Sequence, residues 1–177
     1  MKNLSEKIAA SIRDIKDFPK EGVVFKDITP VLKDISLVEE IMDFFARETK
    51  KLKIDKIVGI ESRGFIFGMP LAVKMKVPFV PIRKKGKLPA ETISASYMLE
   101  YGTATVEIHK DAISKGETVL IVDDLLATGG TINAAEELIT KLGGKPAAAG
   151  FVLELSFLKG REKIKNKDLE IISIVKY

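Results

Sequence analysis

The sequence predicts an α/β fold, with a central, mostly parallel sheet of about five strands flanked by helices. Three observations carry that prediction. Strand-length apolar runs alternate with helix-period segments over residues 56–175. The runs are continuous in Val, Ile and Leu, as strands covered on both faces require. The length, 177 residues with 46% hydrophobic and 31% charged content, is that of one globular domain.

Taken in order, Leu4, Ile8, Ile12 and Ile15 recur at helical spacing between charges, which predicts an amphipathic N-terminal helix. FPKEGVVFKDITP (18–30) is punctuated by Pro and Gly and reads as a loop with one extended stretch. Leu37, Ile41, Phe44, Phe45 and Leu52 mark a second helix, with Ser36 as its candidate N-cap. KIVGI (56–60) is a buried strand, GFIFGMPLAVKM (64–75) a helix and FVPI (79–82) the next strand. The stretch 83–102 is polar and turn-rich, and TATVEI (103–108) alternates as a half-exposed strand does. TVLIVDD (118–124) is a continuous apolar strand that ends in two acids. Residues 129–143 form a helix stopped by Gly143–Gly144, and AAAGFVLEL (147–155) and EIISIV (170–175) complete the sheet.

Composition removes several chemistries. The chain has no Cys, so disulfides, thiolate metal sites and Cys nucleophiles are excluded. One His, His109, excludes a multi-His metal site; it is expected in a strand–helix connection with a structural role. The first 17 residues are charged throughout, unlike a secretory signal. Apolar runs such as FIFGMPLAV (65–73) fall well short of the roughly 20 residues that span a bilayer. A soluble, cytoplasmic protein with no membrane partner is therefore expected. The net charge of +4 hints at an anionic partner, either nucleic acid or a phosphorylated small molecule.

In open parallel sheets, ligands bind beyond the carboxyl ends of the strands. At one such end lies VLIVDDLLATGGT (119–131), where two carboxylates precede a small-residue loop that opens a helix. Helix N–H groups and the hydroxyls of Thr128 and Thr131 make an anion cradle there. Asp123 and Asp124 add acceptors beside it, which suits a ribose 5-phosphate. At a second end, Glu61-Ser62-Arg63-Gly64 brings an arginine to a helix start, a second anion site. At a third, RKKGKLP (83–89) concentrates Arg83, Lys84, Lys85 and Lys87.

These motifs resemble those of the type I phosphoribosyltransferases, which bind phosphoribosyl pyrophosphate (PRPP), and the resemblance runs from Phe18 to Lys163. VLIVDDLLATGGT resembles their PRPP signature. That implies ribose hydroxyls on Asp123 and Asp124, and the 5-phosphate on Ala127, Thr128, Gly129, Gly130 and Thr131. ESRGF (61–65) resembles the diphosphate loop of the adenine branch and implies PRPP contacts from Glu61, Ser62 and Arg63. In that family the basic segment lies at a dimer interface and reaches the neighbour's diphosphate, which implies Arg83 and Lys87 foremost, with Lys84. ASYMLEYG (95–102) resembles the adenine branch's flexible loop. It implies catalytic roles for Glu100, Tyr101 and Arg63, with Glu100 assisting proton transfer at a ring nitrogen of the base. FPKEGVVFKDITPVL (18–32) resembles its base-binding segment, implying Val24, Phe25 and Lys26 on the base, with Leu125 on the other face. Lys26 stands where that branch usually has Arg, and Glu21 where Pro is common. ELSFLKGREKI (154–164) resembles the family's close, in which Arg161 is read as a structural ion-pair partner of Glu154 or Glu162.

The resemblance implies the type I phosphoribosyltransferase fold as a single domain over 1–177, with a hood from about 1–35 and a flexible loop over about 91–108. It implies conversion of adenine and PRPP to AMP and diphosphate in purine salvage, by a homodimer. Mg2+ would be held mainly through PRPP and diphosphate oxygens rather than by protein ligands. A nucleic-acid-binding regulator is the rival from another class. Against it, no helix-turn-helix is present and the basic residues cluster by the anion sites rather than along a helix. An enzyme of the same superfamily with another base is the second rival.

Overall fold

The computed structural model describes residues 3–98 and 102–177. The chain divides into two units, Met1–Phe44 and Phe45–Tyr177. In the first, α1 (Leu4–Ser11) is opened by Asn3. The Asn3 side chain accepts the Glu6 N–H and the Glu6 carboxylate accepts the Asn3 N–H, a reciprocal cap. The helix stops at Ser11, short of the expected Ile15. Residues Arg13–Lys16 instead form β1, antiparallel to β2 (Val24–Asp27), with Ile15 opposite Phe25. The Arg13–Asp27 ion pair, 2.7 Å, ties the two strands. Cross-strand pairing thus overrides a helical spacing that Ile12 and Ile15 would have continued. The next helix, α2 (Ile35–Glu48), starts two residues earlier than a Ser36 cap requires. Asp34 takes the N–H of Leu37 at 3.2 Å, so Asp34 is the capping side chain.

The second unit contains β3 (Lys56–Ile60), α3 (Arg63–Met75), β4 (Phe79–Lys84), β5 (Thr92–Met98), β6 (Thr103–His109), β7 (Thr118–Leu126), α4 (Gly130–Lys141), β8 (Lys145–Glu154), a short α5 (Gly160–Lys163) and β9 (Glu170–Lys176). They build a seven-stranded sheet in the order β5-β6-β4-β3-β7-β8-β9. The five strands from β4 to β9 run parallel, as the continuous apolar runs predict. β6 adds to the β4 edge antiparallel, and β5 pairs with β6. The sheet therefore has two strands more than the expected five. Of the antiparallel pair, β6 is the half-exposed strand expected at 103–108, and β5 falls in the stretch read as turn-rich, 83–102. In β5, Ile93, Ala95 and Tyr97 turn inward while Ser94, Ser96 and Met98 face out. That period-2 pattern is masked in the sequence because its polar positions are small serines. His109 is the last residue of β6, not part of a connection, and its Nε2 is buried with no hydrogen-bond partner among the described residues.

One sheet face packs on α4: Val58, Ile60, Val119, Ile121, Ala149 and Phe151 meet Ile132, Ala135, Leu138 and Ile139 in one buried cluster. α3 packs against β3, β4 and β7. Among the described residues no helix is long and apolar enough to cross a membrane.

Candidate active site

The carboxyl ends of β3 and β7 are adjacent, because these strands pair parallel with Gly59 opposite Val122. Beyond β3 come Glu61 and Ser62, joined by a cis peptide bond, and then Arg63 as the first residue of α3. Gly64 lets that helix start sit directly on β7. A Cβ there would lie 2.5 Å from the Val122 carbonyl and 3.2 Å from Asp123 Oδ1. Any side chain would push the helix away from the carboxylates.

Glu61, Ser62, Arg63, Lys84, Asp123 and Asp124 line a cavity of about 330 Å3. Arg63 Nε donates to Asp124 Oδ2 at 2.8 Å. Arg63 thus pairs with Asp124, and Glu61 with Arg83. Asp123 Oδ1 accepts the Asp124 N–H at 2.9 Å. Burial, and then the charge of Asp124, push the Asp123 carboxyl well above the ordinary aspartate range. Burial also raises Asp124, against the pull of Arg63. Two acids held this way favour a donor: a proton, or the hydroxyls of a ligand.

A smaller recess of about 60 Å3 opens on the other side of Asp123, lined by Leu125, Ala127, Thr128, Gly129 and Thr131 among others. It sits at the start of α4, where a helix leaves backbone N–H groups without intrahelical partners. Gly129 occupies the left-handed region at φ 82°, and a Cβ on it would stand 2.7 Å from the Gly160 carbonyl. A Cβ on Gly160 would in turn overlap the Ala127 carbonyl. The loop 127–129 and the Lys159–Gly160 turn are thus in direct backbone contact. Asn133 extends the join: its side chain donates to the Lys163 carbonyl at 3.1 Å and accepts the Lys165 N–H at 2.9 Å. Arg161 behind this turn pairs with Glu154 at 2.6 Å, the structural partner expected, and also donates to the Ile171 carbonyl. That pairing is the main reason the Glu154 carboxyl lies below its ordinary range.

The structure therefore brings together Glu61, Ser62, Arg63, Lys84, Asp123, Asp124 and, through Asp123, Leu125, Ala127, Thr128, Gly129 and Thr131. Gly130 opens α4 and lies against the Tyr97 ring, so the end of the β5–β6 hairpin stands at the same loop. Arg83 and Lys87 do not line the cavity of their own chain; the Arg83 guanidinium donates to Glu61 and to the Lys87 carbonyl. Glu100 and Tyr101 lie outside the described residues. Val24, Phe25 and Lys26 form β2 of the first unit. There Val24 is exposed, Phe25 meets the Phe18 ring edge-on at 5.2 Å, and the Lys26 ammonium is 2.8 Å from both Asp14 oxygens.

Residues 29–176 match the family model of the phosphoribosyl transferase domain. The chain belongs to that family. Within it, the chain is an adenine-branch member: it is 57% identical over 162 residues to the adenine phosphoribosyltransferase of Halothermothrix orenii, covering 89% of this chain and 93% of that one. The crystal structure of adenine phosphoribosyltransferase from Thermoanaerobacter pseudethanolicus superposes with a TM-score of 0.94 at 52% identity, covering 99% of this chain and 100% of that chain. The Saccharomyces cerevisiae enzyme, solved with adenine and an imino-altritol bisphosphate, superposes at 0.91 with 40% identity, covering 97% and 98%. The fold read from the sequence is thus that of adenine phosphoribosyltransferases. Sequence reasoning missed Gly160, whose backbone abuts the loop 127–129. It lies 30 positions beyond Gly130, so only the fold brings it to the loop. Its one signal in the sequence is a Gly beside Arg161.

Proposed function

We propose that the chain transfers the phosphoribosyl group of PRPP to a ring nitrogen of adenine, giving AMP and releasing diphosphate. One observation carries this reading: a cavity that carries Arg63 and Lys84 and a helix-start recess meet at a single carboxylate, Asp123. PRPP has that layout, with diphosphate and 5-phosphate at either end of a dihydroxylated ring. Thr128, Gly129, Gly130, Thr131 and Ala127 hold the 5-phosphate, and Asp123 and Asp124 accept from the ribose hydroxyls. Arg63, Lys84 and Ser62 bind the diphosphate and stabilise the charge it gains on leaving. Val24, Phe25 and Leu125 bind the base, by backbone edge and ring face; Lys26 contributes its backbone, its ammonium being held by Asp14. The base held by the yeast relative, adenine, supports the choice of purine.

The donor set suits Mg2+. Asp123 and Asp124 are hard oxygen donors on the cavity wall; they would hold the ion, with most of its remaining ligands supplied by diphosphate and ribose oxygens, and it would supply positive charge beside the leaving diphosphate. A homodimer and a cytoplasmic location belong to the same proposal. Ile66, Met69 and Val73 of α3 are 42, 49 and 66% exposed on one helix face, an apolar stripe suited to a second copy. Arg83 and Lys87 then serve the partner's diphosphate. The mass of the protein in solution tests this directly, and a monomer would contradict it.

Glu100 and Tyr101 complete the proposal as catalytic residues, with Glu100 moving the proton at the base. Glu100→Ala is expected to lower turnover about a hundredfold while leaving the PRPP dissociation constant within about twofold. Steady-state rates and calorimetric PRPP titration check it. Weakened PRPP binding with unchanged saturated turnover would remove Glu100 from the chemical step.

A further inference from the structure

Of the three carboxylates that line the cavity proposed for diphosphate, Glu61 stands apart from the adjacent Asp123 and Asp124. Its charge is spent within the protein. Glu61 Oε2 accepts the Lys84 N–H at 2.9 Å and Arg83 Nε at 3.3 Å, and Oε1 accepts Arg83 Nη2 at 3.2 Å. Arg83 Nη1 reaches on to the Lys87 carbonyl at 2.9 Å. The turn that follows is braced again from the other side: the buried Glu107 takes the Gly86 N–H at 2.9 Å, and the Thr105 carbonyl takes the Lys85 N–H at 3.1 Å. Glu61 thus joins the end of β3 to the start of the basic turn, and it does so with the backbone of Lys84, the lysine that faces the cavity.

We infer that Glu61 is a positioning residue, whose carboxylate fixes Arg83 and the Lys84 backbone so that the basic turn presents its charge to diphosphate. The inference rests on the proposed diphosphate site, and it departs from the expectation that Glu61 itself contacts PRPP. Glu61 acts through its neighbours and touches no reacting atom.

The sign of one substitution separates positioning from simple electrostatics. Glu61→Gln removes a negative charge from an anion cavity, which by Coulomb attraction should tighten diphosphate binding. It also sets an amide N–H against the Arg83 donors, which releases the turn. The expected result is a rise of about tenfold in KM for PRPP and in the inhibition constant of inorganic diphosphate. Turnover at saturation should stay within about twofold, as for an interaction made equally before and in the transition state. Affinity for ribose 5-phosphate, which occupies the other recess, should not change. In a double-mutant cycle, adding Glu61→Gln to Arg83→Gln should cost less than about twofold more, because the two changes break one contact. Melting temperatures taken alongside confirm that each variant is folded; if Glu61→Gln fails to fold, the cycle is run with Glu61→Asp. Equal or tighter diphosphate binding by the folded variant, or full additivity in the cycle, overturns the positioning role. Failure of the unsubstituted protein to bind diphosphate overturns the functional reading, and this inference with it.

Discussion

Gly160→Ala is expected to cut turnover by about a hundredfold or more and to lower the melting temperature by several degrees. The added Cβ would overlap the Ala127 carbonyl, which is backbone on a loop that has no slack. Gly129 presses on the same turn from the other side, with its own Cβ position 2.7 Å from the Gly160 carbonyl. Relief therefore requires moving the loop 127–129, the proposed seat of the 5-phosphate. Overpacking of this kind costs about 1–3 kcal/mol, and in a chain of this size each kcal/mol is worth roughly 2–4 °C. The kinetic loss is larger because a misplacement of about 1 Å in a positioning element can cost a hundredfold. The effect is steric, since Gly160 itself has no left-handed φ. Gly86→Ala is the contrast: its φ is 78°, but nothing lies within 4 Å of the new methyl. PRPP kinetics and thermal melts of the two variants decide the matter. Unchanged PRPP kinetics in Gly160→Ala would mean that the loop does not seat the phosphate.

Asp123→Asn should separate function from stability in opposite directions. Turnover should fall by about a hundredfold, the usual scale for removing a group that orients the reacting centre. The melting temperature at neutral pH should rise by a few degrees. Burial beside Asp124 raises the Asp123 pKa in the folded chain, so the ionised form destabilises the fold. In strong acid both folded and unfolded chains carry the proton and there is no penalty. As pH rises above the ordinary carboxylate range the unfolded chain ionises first, and stability is lost until the folded carboxyl has ionised too. Asn removes that loss and keeps the Oδ1 acceptor that serves the Asp124 N–H at 2.9 Å. Melts of both proteins from pH 4 to 8 test this. The gap should widen with pH, and a variant less stable than the parent at neutral pH would contradict the account.

The parallel part of this fold was legible because its strands are buried on both faces and so read as continuous apolar runs. Residues 118–131 are the clearest case: strand, acids, loop and helix start appear in one string. The residues that line the cavity lie at or just beyond such strand ends. Four features were hidden for identifiable reasons. β5 alternates with serines rather than charges, so it resembled a loop. β1 continued a helical spacing and is set by pairing with β2. Gly160 and the Glu61–Arg83 clamp join segments far apart in the chain, and nothing in local sequence records such contacts. The +4 net charge, first a hint of any anionic partner, narrows at this cavity to Arg63 and Lys84.

The activity proposed for this chain joins adenine to the ribose of PRPP. The most direct measurement supplies PRPP and Mg2+ with adenine, hypoxanthine, guanine, xanthine and orotate in turn, and follows nucleotide and diphosphate formation. Adenine should give AMP and diphosphate in equal amounts, at a kcat/KM at least about a hundredfold above any other base, and chelating the Mg2+ should stop the reaction. No nucleotide from any base, or a faster reaction with a base other than adenine, would contradict it.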